Sequence, residues 1–226
     1  MNPPAKVAVA MDTPLEETAL GWVRDLSRYA GAFKVGPVLF HAAPSIVERV
    51  KERDRLLFLD LKLHDIPSVI NLAIRGLSGR GVDRITIHLS GGEEMAAAAV
   101  DGGGEDLLPI GVTVLTSLSP PVWERFSGQR IEDSVSRMVE MGWRAGIREF
   151  VCSGNEVSAL KKAFPHGVFW VPGIRFPGDD GGDQKRVSTP QEVLDAGADW
   201  LVIGRSLTSV SVPKARSRLL SLLDAG

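Results

Sequence analysis

Short apolar segments, rich in β-branched residues, recur along the chain with longer mixed segments between them. The apolar segments lie at 6–11, 32–35, 56–61, 84–89, 109–115, 149–153, 168–173 and 200–204. Because each is short and bounded by turn residues, they predict eight β-strands. These strands are apolar almost throughout rather than alternately polar and apolar. That pattern is typical of a parallel sheet whose two faces are both covered.

The segments between the strands predict helices. They lie at roughly 14–30, 40–53, 67–80, 92–101, 130–146, 154–163, 189–197 and 211–224. Two helix starts pair a threonine with a proline, Thr13-Pro14 and Thr189-Pro190, which predicts an N-cap followed by a first-turn proline. Gly81, Gly146 and Gly197 are predicted to follow helix ends in the left-handed conformation.

The regular alternation of strands and helices predicts the fold class. Eight strand–helix units within 226 residues favour an α/β fold, a (β/α)8 TIM barrel. An open doubly wound sheet is the main alternative, but no GxGxxG follows the first strand. Since no linker or low-complexity segment divides the chain, residues 1–226 are predicted to form a single barrel domain.

Composition narrows the class of protein further. The formal net charge of −2 gives no support to nucleic-acid or membrane-surface binding. The single cysteine excludes an internal disulfide and is typical of a reducing compartment. The N-terminal stretch lacks a basic region followed by an apolar core, and no segment has the roughly 18 apolar residues of a membrane span. We therefore expect a cytoplasmic protein with no membrane partner.

Polar and ionisable residues stand at the end of nearly every predicted strand, where a barrel carries its active site. Lys34 lies within an apolar segment and Lys62 directly follows one, so an unpaired ammonium there would be costly. Asp12 and Asp60 end strands on the same rim and can supply the opposite charge. Asp60 and Lys62, two residues apart on a strand, are expected to face the same side. Taken alone, this stretch fits a structural ion pair as well as a reactive centre.

A second group of residues predicts a phosphate site. Arg175 leaves the seventh strand before a polar, glycine-rich loop at 176–186, and Gly204-Arg205 ends the eighth strand at a helix start. Barrels commonly bind phosphate with the loops after these two strands, and arginine offers a forked donor to its oxygens. A flexible surface loop is the alternative for 176–186. Its length and glycines also favour a lid that becomes ordered when a ligand binds.

Other ionisable residues carry weaker signals. His64 and His88 lie near strand ends, where a histidine more often holds structure than takes part in catalysis. No His/Cys cluster has the spacing of a zinc site. The loop acids Asp179, Asp180 and Asp183 lack the pattern of a calcium loop. No metal site is predicted, and no pyridoxal or thiamine motif is present, so no cofactor is expected.

With these residues assembled, the chain resembles the orotidine 5′-phosphate decarboxylase family along nearly its whole length. The stretch FLDLKLHDIP at 58–67 is similar to the family's Asp-x-Lys-x-x-Asp signature, in the form that continues through Ile-Pro. The other matching segments are VAMD at 9–12, FKVG at 33–36, VTVLTS at 112–117, VCS at 151–153, PGIR at 172–175, DQKR at 183–186 and VIGR at 202–205.

The resemblance implies a role for each matching residue. Lys62 would protonate C6 of the pyrimidine after loss of CO2, Asp60 would lie beside the departing carboxylate, and Lys34 would bridge Asp60 and the ribose. Asp65 would be contributed by the partner subunit of a homodimer. The implied substrate-binding residues are Asp12 and Lys34 at the ribose, Thr116 and Pro172 at the pyrimidine, Arg175, Gln184, Gly204 and Arg205 at the phosphate, and Ile66 beside Asp65.

One departure and two alternatives accompany this resemblance. The family usually has Thr four residues after the second aspartate of the signature, where this chain has Val69. This change is expected to alter a peripheral contact across the dimer interface rather than the reaction. Related barrels similar to hexulose-6-phosphate synthase or ketogulonate-phosphate decarboxylase share the rim but need Mg²⁺. A non-catalytic nucleotide sensor would be expected to have lost Lys62 or a carboxylate, and both are present.

Overall fold

The computed structural model describes residues 5–51, 55–179 and 188–223. Within them eight parallel strands pair in sequence order, and the last pairs with the first, so the sheet closes into a barrel. The strands are β1 (Ala5–Ala10), β2 (Ala30–Val35), β3 (Leu56–Leu63), β4 (Arg84–His88), β5 (Leu108–Val112), β6 (Glu149–Val151), β7 (Val168–Val171) and β8 (Trp200–Ile203). The eight predicted strands and the predicted (β/α)8 fold class are confirmed.

Helices cover the outside of the barrel. They are α1 (Glu16–Leu26), α2 (Pro37–Ala42), α3 (Ile46–Lys51), α4 (Pro67–Arg75), α5 (Glu93–Gly103), α6 (Pro120–Ser127), α7 (Ile131–Arg144), α8 (Val157–Ala163), α9 (Pro190–Asp195), α10 (Arg205–Thr208) and α11 (Val212–Leu223). None of the helices in the described ranges is long and apolar enough to cross a membrane. The prediction of one domain over 1–226 reaches beyond the described residues and stays a prediction.

Three helix predictions are corrected. The single helix expected at 40–53 is two short helices, because Pro44 disfavours helical geometry at Ala43, which adopts φ −147° and ψ 79°. Thr13 does not cap α1; its hydroxyl accepts a hydrogen bond from the Leu15 N–H, and the helix begins after Leu15. Helix α6 was not expected, although it begins at Pro120 directly after Ser119.

The helix-end predictions at Thr189, Gly146 and Gly197 are confirmed, whereas Gly81 does not follow a helix end, because α4 already ends at Arg75 with Gly76 as its C-cap. Thr189 caps α9 in a capping box with Glu192, and Pro190 is the first helical residue. Gly81, Gly146 and Gly197 all have positive φ angles, of 87°, 98° and 97°. Gly146 and Gly197 directly follow the C-cap residues of α7 and α9. These turns bring the chain back to the next strand and so fix where each strand begins.

Two apolar layers hold the barrel together. The larger lies between strands and helices and contains residues such as Val9, Leu59 and Ile87. The smaller fills the barrel interior, where the Trp170 ring lies 5.1 Å from the Phe58 ring and opposite small alanines of β1 and β2. Because the large rings of Trp170 and Phe58 pack in this interior together with the small alanines, it is filled rather than hollow. The open space of the molecule is therefore left at the strand ends.

At the amino-terminal ends of the strands, an aspartate before β4 links the barrel to a helix. Asp83 accepts a hydrogen bond from the Leu57 N–H at 2.7 Å and forms an ion pair with Lys51 of α3 at 2.7 Å. The same arrangement recurs four strands later with Asp199, Phe169 and Lys161. These contacts anchor β3–β4 and β7–β8, the two strand pairs whose other ends carry Asp60, Lys62, Arg175 and Arg205.

Candidate active site

A cavity of about 590 Å³ opens at the carboxyl ends of the strands. Parallel strands of a barrel bring all these ends to one rim, so residues distant in sequence meet there. Nine of the predicted site residues line the cavity: Asp12, Lys34, Asp60, Lys62, Thr116, Pro172, Arg175, Gly204 and Arg205. The cavity therefore unites the predicted charge cluster with the predicted phosphate-binding residues.

Charges of alternating sign line one side of the cavity. Lys62 Nζ lies 2.8 Å from Asp60 Oδ1, and Lys34 Nζ lies 3.2 Å from Asp60 Oδ2. Lys34 Nζ also lies 3.3 Å from Asp12 Oδ1. The side chains of Lys34 and Asp60 are only 10% and 11% exposed, whereas Lys62 is 38% exposed. Asp60 thus holds an ammonium group at each carboxylate oxygen, and the Lys62 ammonium is the one open to the cavity.

This arrangement decides the charge states of its buried members. Burial alone would lower the pKa of Lys34, but Asp60 and Asp12 together raise it above its ordinary value. Burial alone would raise the pKa of Asp60, but Lys34 and Lys62 hold it below its ordinary value. Both groups are therefore charged at neutral pH. A buried carboxylate kept ionised by two cations can act on a charged ligand without changing its own protonation state.

The backbone at Lys62 departs from regular strand geometry. Lys62 has φ 49°, and no other non-glycine residue in the described part of the chain has a positive φ. The pairing of β3 with β4 is irregular between Leu59 and Leu63, where a bulge interrupts the register. The Lys62 N–H donates to the Thr86 hydroxyl at 2.8 Å, and that hydroxyl donates to Asp60 Oδ1 at 3.0 Å. The shared face of Asp60 and Lys62 is thus produced by a bulge rather than by the simple alternation of a strand.

Apolar side chains and Thr116 form the opposite wall. Val112, Val114, Val151 and Val202 line the cavity together with Pro172, and Thr116 is buried. A wall of this kind suits the faces of a flat ring and keeps water from the charged side. The charged array and the apolar wall together create a site with one reactive side.

The far end of the cavity is cationic. Arg175 follows β7, and Arg205 begins α10 directly after β8. The segment after β7 is held by pairing with Ser188, because the Arg175 N–H donates to the Ser188 carbonyl and the Ser188 N–H donates to the Gly173 carbonyl. Gln184, predicted with these arginines, lies outside the described residues, as does most of the loop predicted to be a lid.

Asp65 and Ile66 are not among the residues that line this cavity. Asp65 is exposed, and its carboxylate accepts a hydrogen bond from the Ile66 N–H at 2.7 Å. Ile66, Val69 and Leu72 are 62%, 42% and 68% exposed and follow each other at helical spacing along the start of α4. Val69 therefore belongs to an apolar surface beside Asp65.

The chain matches the model of the orotidine 5′-phosphate decarboxylase / HUMPS family over residues 5–219. It belongs to this family. Members of the family are similar to it over nearly its whole length. A protein of Moorella thermoacetica named orotidine 5′-phosphate decarboxylase is 40% identical over 98% of this chain and 92% of its own length. One of the same name from Thermobifida fusca is 39% identical over 96% of this chain and 94% of its own.

Solved structures give the same result for the fold. The crystal structure of orotidine 5′-phosphate decarboxylase from Lactobacillus acidophilus aligns with a TM-score of 0.82 at 28% identity and covers 100% of both chains. A crystal structure of an uncharacterized conserved protein from Geobacillus kaustophilus aligns with a TM-score of 0.81 at 28% identity, covering 96% of this chain and 99% of its own.

Beyond the residues predicted from the family pattern, the structure adds Thr86, which joins the backbone of Lys62 to the carboxylate of Asp60. Thr86 is fully buried in an apolar strand, where its residue type alone gave no functional signal because threonine is common in strands. His64 and His88 lie close together, with ring centroids 5.8 Å apart, and neither lines the cavity. In the described residues, no three or more His, Cys, Asp or Glu side chains are grouped to hold a metal ion.

Proposed function

We propose that this chain decarboxylates orotidine 5′-phosphate to UMP, with Lys62 as the residue that stabilises and protonates C6. The observation that carries the proposal is the array Lys34–Asp60–Lys62, with contacts of 3.2 and 2.8 Å at one side of the cavity. Membership of the family and the full-length similarity to named decarboxylases support the overall reaction. The roles of individual residues are part of the proposal.

The chemistry explains the need for a fixed cation. When the bond from C6 to the carboxylate breaks, CO2 leaves and the electron pair of that bond remains on C6, in the plane of the ring. The ring π-system cannot delocalise that pair. An ammonium held in place in a water-poor site stabilises such charge strongly, because it needs no reorganisation during the reaction. Lys62 then transfers a proton to C6 as general acid, which gives UMP.

Asp60 serves two purposes in this scheme. It holds the Lys62 ammonium at 2.8 Å and so orients it toward the cavity. It is also ionised, because Lys34 and Lys62 keep its pKa low. A substrate carboxylate placed beside Asp60 would bring two negative charges together, and its departure as neutral CO2 would relieve that repulsion.

The remaining cavity residues account for the rest of the substrate. Asp12 and Lys34, paired at 3.3 Å, suit the ribose hydroxyls, since one accepts and the other donates hydrogen bonds. Thr116 and Pro172, which line the cavity, are proposed to contact the pyrimidine. Arg175, Gly204 and Arg205 at the cationic end suit the phosphate. Binding energy from a phosphate distant from C6 can then be used to position the ring.

A homodimer is part of the proposal. Asp65 lies beside the exposed apolar surface formed by Ile66, Val69 and Leu72, and contiguous apolar surface of this kind marks a protein interface. A two-fold dimer through that surface would carry each subunit's Asp65 toward its partner's site. Ile66 would contact the partner's substrate for the same reason. We also propose that the enzyme acts in the cytoplasm, where de novo pyrimidine synthesis supplies its substrate.

The direct test is the decrease in ultraviolet absorbance on adding orotidine 5′-phosphate, measured with and without EDTA. We expect turnover that EDTA does not change. A dependence on Mg²⁺ with hexulose or ketogulonate phosphates as better substrates would instead support the other branch of the family. Binding of UMP without any turnover would support a nucleotide sensor.

A further inference from the structure

Arg218 is the one arginine that is buried among the described residues, with 9% of its surface exposed. It lies on α11, outside the barrel, and does not line the cavity. A guanidinium taken out of water needs partners that satisfy its charge and its donors. Its partners identify what this residue does.

The guanidinium of Arg218 contacts two segments that are distant in sequence. Nη2 donates to Asp179 Oδ1 at 2.6 Å, and Nη1 donates to the backbone carbonyl of Ser206. Its plane lies over the Phe176 ring, 4.6 Å from the centroid. Asp179 in turn accepts from the Phe176 N–H at 3.1 Å. One side chain thus holds both the Phe176–Asp179 turn and the first turn of α10.

The two segments held by Arg218 each follow one of the cavity arginines. Phe176 comes directly after Arg175, and Ser206 directly after Arg205. The Ser206 hydroxyl oxygen lies 3.4 Å from the Ile174 carbonyl oxygen, and an Arg175 guanidinium N–H donates to the same carbonyl at 2.8 Å. The position of Arg175 relative to Arg205 therefore depends on a hydrogen-bond network. Arg218 completes that network from the side away from the cavity.

Charge within this network is fixed in the same way as in the cavity. Burial alone would favour the neutral form of Asp179, but hydrogen bonds from Ser206 and Arg218 hold its pKa below the ordinary value. A buried ion pair contributes little net stability compared with apolar packing of the same volume, because desolvation offsets most of the attraction. What it does supply is a defined geometry for the groups it joins.

We propose that Arg218 is a positioning residue that sets the spacing of Arg175 and Arg205 for the substrate phosphate. This inference rests on the proposed function, since it takes the phosphate to lie between these two arginines. It predicts that Arg218 matters for substrates that carry the phosphate and not for the chemistry at C6. That distinction separates positioning from a merely structural contribution.

The test compares Arg218→Met with the parent on two substrates, orotidine 5′-phosphate and the phosphate-free nucleoside orotidine, the latter with and without added phosphite. For orotidine 5′-phosphate, kcat/KM is expected to fall by about tenfold or more, mainly through a higher KM. For orotidine alone, kcat/KM of the variant should stay within about twofold of the parent's value. Activation of orotidine turnover by phosphite should fall by about tenfold. Arg218→Lys, which keeps the charge and N–H donors but lacks the planar fork, should lose less than Arg218→Met.

Arg216→Met is the matched control. Arg216 lies on the same helix, but its guanidinium contacts the Asp25 carbonyl and the Tyr29 ring instead. This variant loses a comparable tie between α11 and the rest of the fold, so it should leave phosphite activation unchanged. If Arg218→Met is not obtained folded, Asp179→Asn replaces it, and a smaller loss of phosphite activation is expected.

Each remaining outcome is decisive. Equal losses with orotidine and orotidine 5′-phosphate, or unchanged KM and phosphite activation, would overturn the role of Arg218 and leave the proposed function standing. An unaffected Asp179→Asn enzyme, if that variant is the one used, would do the same. A parent that neither decarboxylates orotidine 5′-phosphate nor responds to phosphite would overturn the proposed function, and this inference with it.

Discussion

The backbone N–H of Lys62 donates a hydrogen bond of 2.8 Å to the Thr86 hydroxyl, while Lys62 itself has a φ of 49°. The Thr86 hydroxyl in turn donates a hydrogen bond to Asp60 at 3.0 Å, and Asp60 accepts one from the Lys62 ammonium at 2.8 Å. Both ends of one lysine are therefore fixed through a single buried threonine. A left-handed backbone at a non-glycine residue costs on the order of 1–3 kcal/mol and persists where the surroundings fix it.

Thr86→Val should reduce both stability and turnover. The partly buried Lys62 N–H would lose its acceptor and Asp60 a donor, which lowers the free energy of unfolding by about 1–3 kcal/mol. A Lys62 that is less well fixed should lower kcat roughly tenfold, with KM for orotidine 5′-phosphate nearly unchanged. Steady-state kinetics and denaturant unfolding measure the two effects.

Thr113→Val is the control for this prediction. Thr113 is also fully buried, and its hydroxyl donates to the Val151 carbonyl at 2.8 Å rather than to the charged array. It should lose stability while keeping kcat. A Thr86→Val enzyme with the parent's kcat would show that this threonine is only structural.

The Lys62→Gly protein should be more stable than the Lys62→Ala protein. Glycine adopts positive φ without strain, so Lys62→Gly is expected to exceed Lys62→Ala by about 1 kcal/mol in free energy of unfolding. At His64, which directly follows β3 and has no positive φ, the order should reverse, because glycine there only adds freedom to the unfolded chain. The same order at both positions would argue against strain at Lys62.

Hybrid dimers test whether Asp65 serves the neighbouring subunit. Lys62→Ala and Asp65→Asn should each be nearly inactive as homodimers. When they are mixed and allowed to exchange subunits, half of the dimers become hybrids in which one site has both residues intact. About a quarter of the parent activity should then return. An inactive mixture, with exchange verified by mass, would place Asp65 in its own subunit's site or outside the reaction.

Stability should fall in mild acid because of His88. Burial, His64 and Lys62 lower the pKa of His88, and its Nδ1 accepts a hydrogen bond from the Ser90 N–H at 3.4 Å. Since the folded pKa lies below the unfolded value of about 6.5, the unfolded chain binds protons first. This contribution to stability is complete above that pH and is lost as the pH falls through the folded pKa.

Thermal unfolding at pH 7.5 and 5.5 measures this effect. The decrease in melting temperature from pH 7.5 to pH 5.5 should be smaller for His88→Gln than for the parent. His166→Gln, which alters an exposed histidine after α8, should behave as the parent. Equal losses in all three proteins would assign the acid sensitivity to other groups.

Much of the fold and the cavity follows from the sequence, and for one physical reason. Apolar strands of a parallel barrel end at one rim, so Asp12, Lys34, Asp60 and Arg205 meet once the strands are correctly placed. The break at Pro44 was also available from the sequence, because proline restricts the residue before it. The prediction of one helix at 40–53 is wrong because the apolar pattern continues across Pro44, while the proline itself interrupts the helix.

The unpredicted features depend on contacts between residues distant in sequence. The bulge in β3 arises where β3 meets Thr86 of β4, and nothing local to Lys62 indicates a left-handed backbone. Arg218 lies in a helix with several basic residues, where an arginine is normally exposed. Only the packing of α11 against α10 and the turn after β7 makes it a buried ion-pair partner.

Turnover by Lys62→Ala tests the central claim most directly. Decarboxylation of orotidine 5′-phosphate and binding of UMP should be measured on this variant beside Lys214→Ala, which removes an exposed lysine of α11. The account predicts that Lys62→Ala loses about a thousandfold or more in kcat, since one group both stabilises and protonates the carbanion, while it still binds UMP. Decarboxylation at close to the parent's rate would contradict it.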